Sequence, residues 1–188
     1  MAYRIYDQHG LHFLTFTVVE WVDLFTRPAY KRLLVENFEF YRKKKGLRTH
    51  AFVIMTNHIH VIWSSPEAPL SDMIRDFKKW TSVKCLELIQ AEPESRREWM
   101  LEIFGAAGRA NPSNRHYQIW QKGSHPIFLE SRRFIQQKLN YIHQNPVRAG
   151  IVDDPTTYLY SSASHYANLP CVMKVDELDE RWVGSPLD

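Results

Sequence analysis

Two histidines separated by a single residue are the first feature of the sequence that could do chemistry. They lie in the segment Met55-Thr56-Asn57-His58-Ile59-His60-Val61-Ile62-Trp63. Alternate side chains of a β-strand point to the same face, so His58 and His60 would project together, opposite to the apolar residues around them. Two such imidazoles can bind one divalent ion, naturally Mn, Zn, Fe, Co or Ni and less naturally Mg. The alternative is that both rings are partly buried and hydrogen-bonded locally.

A second group of polar residues lies on a late helical segment. Lys138, Tyr141 and Asn145 are spaced by three and four residues, which places them on one face of a helix. Pro146 disfavours helical geometry at the residue before it, so we expect the helix to end at Asn145 and to leave its amide free to face a partner. The alternative is a tyrosine packed by its ring and an asparagine that caps the helix.

Together, the two segments resemble the single-tyrosine HUH (His-hydrophobe-His) transposases, especially the REP-associated tyrosine transposases. Residues 55–60 are similar to the family's "MPNHVH"-like motif, with Thr56 where proline is frequent, and residues 138–150 to its "KLxYIHxNPVRAG" block. Weaker likenesses occur at residues 76–82, 119–121 and 160–163. The resemblance covers roughly residues 10 to 165.

The resemblance implies a function and a set of site residues. His58 and His60 would hold a divalent metal, Mg²⁺ or Mn²⁺, with Asn145 as the third ligand, and Tyr141 would be the catalytic nucleophile. The activity implied is single-strand DNA cleavage and strand transfer through a 5′-phosphotyrosine, on single-stranded or hairpin, REP-like DNA. A monomer is favoured, with a homodimer as the alternative. Two other functions stay open: a non-catalytic single-strand nucleic-acid-binding protein, and a small metallohydrolase that uses His58 and His60.

The distribution of charge also points to a polyanionic partner. Up to Gly150 the sequence has 22 Lys and Arg against 14 Asp and Glu, a net charge of +8, and after it 2 against 7, a net charge of −5. Nucleic acid is the commonest partner of such a basic region, although a solvated basic face explains the charge equally well. The candidate DNA-binding residues are Arg75, Lys78, Lys79, Lys122, Arg132, Arg133, Lys138 and Arg148. Trp80, Tyr117 and Trp120 are candidates for base stacking, although for Trp80 a place in the core is favoured.

The elements that must position these residues follow from hydrophobic periodicity. They are arranged as β-α-β-β-α-β, which predicts an α+β, ferredoxin-like sandwich with helices packed on an antiparallel sheet, followed by the catalytic helix. Residues 1–150 would form the transposase domain, and residues 151–188 an acidic extension packed on it. The predicted elements are a strand at 11–19, a helix capped by Thr26 and ending at Gly46, strands at 50–55 and 59–63, a helix at 69–89 with Leu70, Met73, Phe77 and Trp80 on its apolar stripe, a loop at 92–116, a strand at 117–121 and a helix at 131–144.

Composition excludes several other classes of protein. The chain is 44% hydrophobic and 24% charged, which is typical of a globular domain and not of a disordered chain. No apolar run approaches the length of a membrane span, and the first residues lack the pattern of a secretory signal. Two cysteines without metal-ligand spacing suggest neither disulfides nor a zinc site. We therefore expect a cytoplasmic, nucleoid-associated protein without a membrane partner.

Overall fold

A computed structural model describes residues 5–91, 93–112 and 116–178. Its centre is a four-stranded antiparallel sheet with the strand order β2-β3-β1-β4. The strands are β1 (His12–Thr17), β2 (Arg48–Ile54), β3 (His58–Ser64) and β4 (Ile127–Phe128), and the helices are α1 (Pro28–Lys45), α2 (Leu70–Ala91), α3 (Arg97–Arg109), α4 (Arg132–Arg148) and α5 (Ala163–Tyr166). This order, with helices packed on the sheet, confirms the predicted α+β, ferredoxin-like fold.

Each face of the sheet is covered by helices. The larger apolar cluster joins one face, represented by Phe16 and Trp63, to α1 and α2. The opposite face, represented by Phe13 and Ile62, packs against Ile135, Leu139 and Ile142 of α4. Because the side chains of β3 alternate, the two histidines of this strand share the α4 face with Ile62. In the part of the chain that the structure describes, no helix is both long and apolar enough to span a bilayer.

The predicted loop at 92–116 is wrong, because α3 occupies residues 97–109 of it. The segment is mostly polar and charged, so its narrow apolar stripe was not recognised as helical. Met100 and Phe104 of this stripe are fully buried. Residues 113–115, which belonged to the same predicted loop and include the basic Arg115, lie outside the described residues.

The predicted strand at 117–121 is also wrong. Within it, Trp120 makes a single bridge to Val18, and the edge strand is instead β4, which pairs with His12 and Phe13. The backbone groups of the segment bond to different elements, since the Gln118 amide donates to Phe104 of α3 and the Ile119 carbonyl accepts from Val19. A continuous ladder with β1 therefore does not form there.

Three predicted helix details differ from the structure. Thr26 is not the cap of α1, because Arg27 occupies that position and makes no side-chain cap hydrogen bond. The apolar stripe of α2 continues through Thr81, which leaves Trp80 40% exposed. The helix α4 does not end at Asn145 but runs through Pro146 to Arg148. Proline removes one donor without preventing the last turn, and the amides of Ala149 and Gly150 close the helix end.

The described part of the extension, residues 151–178, lies along the otherwise free edge of β2. The Asp176 amide donates to the Thr49 carbonyl, and the Thr49 amide donates to the carboxylate of Asp176. Ser161 bridges to Val53. The Tyr166 hydroxyl donates to the His50 carbonyl. The extension therefore satisfies backbone groups of an edge strand that would otherwise be open to pairing. The acidic residues from 179 onward lie outside the described residues, and the domain boundary at Gly150 stays a prediction.

Candidate active site

The ring of Tyr141 lies beside the histidine pair, within the same chain. Its centroid is 5.1 Å from that of His60 and 5.9 Å from that of Phe13, in edge-to-face geometry in both cases. The rings of His58 and His60 are 4.8 Å apart. The packing of α4 on the sheet thus brings the tyrosine and both histidines, which the sequence had placed on separate elements, into one cluster.

Both histidine rings are held through their Nδ1 atoms. His58 Nδ1 donates to Asn57 Oδ1 at 2.7 Å, and the orientation of that amide is set because its Nδ2 donates to Asp23 at 2.9 Å. His60 Nδ1 is hydrogen-bonded to the Thr15 hydroxyl at 2.9 Å. Partners of this kind fix the tautomer and the orientation of metal-binding histidines. They leave Nε2 as the atom of each ring for a metal.

Burial keeps both imidazoles neutral. Burial, together with smaller contributions from the neighbouring His58 and the positive charge of Lys138, lowers the pKa of His60 to about 3. Burial also lowers the pKa of His58, although a hydrogen bond with the side chain of Asn145 opposes this shift. A neutral imidazole has the lone pair that a metal ion requires, so the rings have the protonation state of ligands near neutral pH.

Asn145 reaches the histidine pair from inside the helix. It lies one turn after Tyr141 on α4, and its side chain is close enough to His58 to oppose the fall in the pKa of that imidazole. The donors that meet here are two imidazoles and one amide, which is a set that a divalent metal accepts. Among the residues that the structure describes, no group of three or more His, Cys, Asp and Glu side chains forms a metal site.

Two cations flank the ring of Tyr141. The Lys138 ammonium is 5.8 Å from the ring centroid and 4.7 Å from that of Phe13, and the Arg148 guanidinium is 5.5 Å from the tyrosine ring. Positive charge at this distance attracts the negative charge that develops on a phenol oxygen when it attacks. Lys138 and Arg148 are therefore placed where they would stabilise negative charge on the oxygen of Tyr141.

The other predicted DNA-binding residues divide between two places. A groove of about 850 Å³ runs between the exposed face of α2 and residues 116–122, and Arg75, Lys78, Lys79 and Lys122 line it. Arg75 is paired with Asp72 and Asp76, while the Lys78 ammonium donates to the carbonyls of Gln121 and Gly123. Arg132 and Arg133 are exposed in the first turn of α4. The groove also includes Tyr117, which is 39% exposed, and Trp120, which is buried with its indole N–H donated to Thr81.

Sequence reasoning missed three residues that shape the site. Asn57 lies within the histidine motif, and its position next to His58 is the signal that could have indicated a local hydrogen bond. Thr15 lies opposite His60 in the sheet register. This contact can be predicted only when the pairing of the two strands is known. Trp21 belongs to a 3-10 turn at residues 19–21, and its indole lies 6.0 Å from the His58 ring. Nothing in the local sequence indicated that contact.

Comparison with solved structures agrees with the fold. The chain is similar to a REP-associated tyrosine transposase solved bound to a REP hairpin, with a TM-score of 0.62, 19% identity and coverage of 95% of this chain and 93% of that one. A second similar structure, described as a transposase from Deinococcus radiodurans R1, has a TM-score of 0.45 and 14% identity over 75% of this chain and 96% of that one. No protein-family model and no curated protein matches the sequence. At these identities the likeness to the first structure establishes a shared fold.

Proposed function

We propose that the protein is a REP-associated type of HUH transposase, a metal-dependent single-strand DNA endonuclease and strand transferase. The observation that carries the proposal is the position of Tyr141, with its ring 5.1 Å from that of His60 in the same chain and cations on either side. A tyrosine that merely filled the core would not need two cations and two neutral imidazoles around it. The fold shared with a hairpin-bound transposase supports hairpin-flanked, REP-like DNA as the substrate class.

In the proposed cleavage step, the Tyr141 hydroxyl oxygen bonds to the scissile phosphorus as the bond from phosphorus to the 3′-oxygen of the preceding nucleotide breaks. The phenol loses its proton and the leaving 3′-oxygen gains one. A phenol with a typical pKa of about 10 is a weak nucleophile near neutral pH. Lys138 and Arg148 assist by attracting the charge on the attacking oxygen. The products are a 5′-phosphotyrosine and a free 3′-hydroxyl.

Strand transfer is the reverse reaction with a different 3′-hydroxyl. The phosphotyrosine bond preserves the energy of the phosphodiester, so a 3′-hydroxyl can attack its phosphorus and release Tyr141 without ATP. The same Lys138 and Arg148 charges then stabilise the departing phenolate. One site thus serves both cleavage and joining.

Mg²⁺ or Mn²⁺ is the proposed cofactor, held by His58, His60 and Asn145. The neutral rings, their hydrogen-bonded Nδ1 atoms and the adjacent amide fit such an ion. When bound, the ion would polarise the scissile phosphate. Because all these side chains come from one chain, we propose that a monomer is sufficient for cleavage.

The test is incubation of the protein with end-labelled hairpin oligonucleotides carrying single-stranded flanks, with Mg²⁺, with Mn²⁺ and with EDTA. We expect a covalent protein–DNA adduct and a free 3′ end in the presence of metal, and no adduct with Tyr141→Phe. Tyr117→Phe, in the groove, is the matched control and should form the adduct. Cleavage that survives Tyr141→Phe would favour a hydrolase, and salt-sensitive binding without cleavage would favour a non-catalytic binder; either result contradicts the proposal.

A further inference from the structure

We propose that Trp21 is a stacking platform for one DNA base, that of the nucleotide whose 3′-oxygen leaves during cleavage. This proposal deepens the proposed function and rests on it. The indole is 59% exposed, and its centroid is 6.0 Å from the His58 ring at an interplanar angle of 73°. Large exposed aromatic side chains next to a phosphate-binding position are the typical stacking surface for single-stranded bases.

The backbone at Trp21 shows that this exposure is held in place. Glu20 and Trp21 both have left-handed conformations, with φ values of 51° and 53°, which non-glycine residues rarely adopt and which concentrate at functional sites. Burial of the indole does not offset the energetic cost of this backbone conformation, because more than half of the residue is exposed. Backbone hydrogen bonds on both sides secure the turn, from Val18 to the Asn57 carbonyl and from Phe25 to the Thr56 carbonyl.

The side chain of Asn57 connects this turn to the histidine pair. Its Nδ2 donates to Asp23 at 2.9 Å and to the Trp21 carbonyl at 3.4 Å, while its Oδ1 accepts from His58. The position of Trp21 is therefore fixed relative to the proposed metal ligands. A base stacked on the indole would be held at a defined distance from the phosphate that is to be cleaved.

The order of the ring contacts indicates which base this is. Tyr141 contacts His60, His60 contacts His58, and His58 contacts Trp21. In an in-line displacement, the leaving 3′-oxygen lies on the side of phosphorus opposite to the attacking oxygen. The nucleotide that bears this oxygen therefore extends from Tyr141 towards Trp21, and its base is the one that the indole can cover.

The experiment measures DNA binding without cleavage, by fluorescence anisotropy of labelled hairpin oligonucleotides in EDTA. A series of oligonucleotides carries one abasic nucleotide at each position of the single-stranded flank. We compare the unmodified protein with Trp21→Ala and Trp21→Phe, and use Trp99→Ala as the matched control. Trp99 is a tryptophan of α3 with similar exposure, 48%, and without a ring contact to the histidines.

Trp21→Ala should weaken binding of the intact oligonucleotide about 5- to 150-fold, the range for loss of one stacked base. Trp21→Phe should retain most of the affinity, and Trp99→Ala should match the unmodified protein. For one abasic position, on the 5′ side of the cleaved phosphate, Trp21→Ala and the unmodified protein should bind the oligonucleotide with equal affinity. Equal affinities for Trp21→Ala and Trp99→Ala, or loss of the difference only at 3′ positions, would overturn the proposal.

The outcome is separable from that of the proposed function. If Tyr141 forms a covalent adduct but no abasic position depends on Trp21, the stacking proposal fails and the catalytic one stands. If the dependence on Trp21 is present at one base while no adduct forms with either metal, the stacking surface stands and the catalytic proposal fails. Near-ultraviolet circular dichroism of Trp21→Phe and Trp21→Ala shows whether the fold is retained.

Discussion

The ring of Tyr141 meets the ring of His60 edge-on, at an angle of 68°, and both rings contact Phe13 of the neighbouring strand. Their meeting depends on three residues of α4, Ile135, Leu139 and Ile142, which are buried against the sheet. The hydrophobic contact of the helix thereby sets the position of a polar side chain one helical turn away. The chemistry proposed for the site rests on this docking rather than on a flexible loop.

The charge of Lys138 should affect the rate of cleavage more than the binding of DNA. Lys138→Gln removes the cation that lies over Phe13 and near Tyr141, and we expect the single-turnover rate to fall about 100-fold because the attacking oxygen loses a stabilising charge. Lys138→Arg keeps the charge and should recover most of the rate. Lys122→Gln, an exposed lysine of the groove, serves as the control. A rate unchanged in Lys138→Gln would show that this cation does not act in catalysis.

Asn57 should control metal affinity without being a ligand. Asn57→Ala removes the acceptor of the His58 Nδ1 proton, so the ring is free to rotate and to change tautomer. We expect Mn²⁺ affinity, measured by isothermal titration calorimetry, to fall about 10- to 100-fold, the usual effect of losing such a partner. Asn140→Ala, an exposed asparagine of α4, is the matched control. Equal affinities for the two variants would contradict the positioning role.

The identities of the site residues were more predictable than their arrangement. His58 and His60 follow from strand alternation, and Lys138, Tyr141 and Asn145 from helical spacing, because both patterns are local. The distance between Tyr141 and His60 depends on how α4 crosses the sheet, which no local pattern contains. Asn145 was expected to be released from the helix by Pro146, but it meets His58 from within the helix. The preference of a residue before proline for non-helical geometry was outweighed by the packing of the last turn of α4.

Two glycines of α3 should differ in their tolerance of a methyl group. A Cβ at Gly108 would lie 2.7 Å from the Tyr117 backbone nitrogen and closer to the His116 carbonyl, whereas at Gly105 the nearest atom is in the flexible side chain of Arg109, at 3.2 Å. We expect Gly108→Ala to lower the free energy of unfolding by about 1–3 kcal/mol through overpacking. Gly105→Ala should be close to neutral. Urea unfolding of both variants gives the comparison, and similar losses would refute this account of the close approach.

The helix α3 also illustrates why some elements of the fold could not be predicted from the sequence. The strands β1 to β3 and the helices α1 and α2 were recognised because long apolar patterns report burial directly. Only four residues of α3 are buried, two of them glycines, so its sequence looks like a loop. The strand β4 has two residues, of which Phe128 is 41% exposed. A strand defined by one edge contact has no periodic pattern to detect.

The stability of the fold should decrease as the pH falls below about 6.5. Burial lowers the pKa of His50, whose Nδ1 and Nε2 are hydrogen-bonded to the Asp176 carbonyl and to the Ser64 hydroxyl. The unfolded chain then binds a proton that folded His50 does not, so the free energy of unfolding falls by up to about 1.4 kcal/mol per pH unit for this residue. His50→Gln should lose less stability between pH 7.5 and 5.5 than the unmodified protein, as measured by urea unfolding. An unchanged dependence on pH would contradict this assignment.

Two adjacent lysines of α2 should separate stability from DNA binding. The Lys78 ammonium donates to the carbonyls of Gln121 and Gly123 at 2.7 and 2.8 Å, whereas Lys79 is exposed at the same groove. Lys78→Met keeps the aliphatic stem but removes these charged hydrogen bonds, so we expect the free energy of unfolding to fall by about 1–3 kcal/mol.

Lys79→Met should leave stability within about 0.5 kcal/mol. If DNA lies in the groove, Lys79→Met should reduce the slope of log affinity against log salt concentration by about 1, because one phosphate contact is lost. Thermal unfolding and salt-dependent anisotropy on the same two variants provide the measurements. A change in salt slope confined to Lys78→Met would contradict this assignment, because the ammonium that binds the 121–123 backbone would then also bind phosphate. A loss of stability confined to Lys79→Met would contradict it as well.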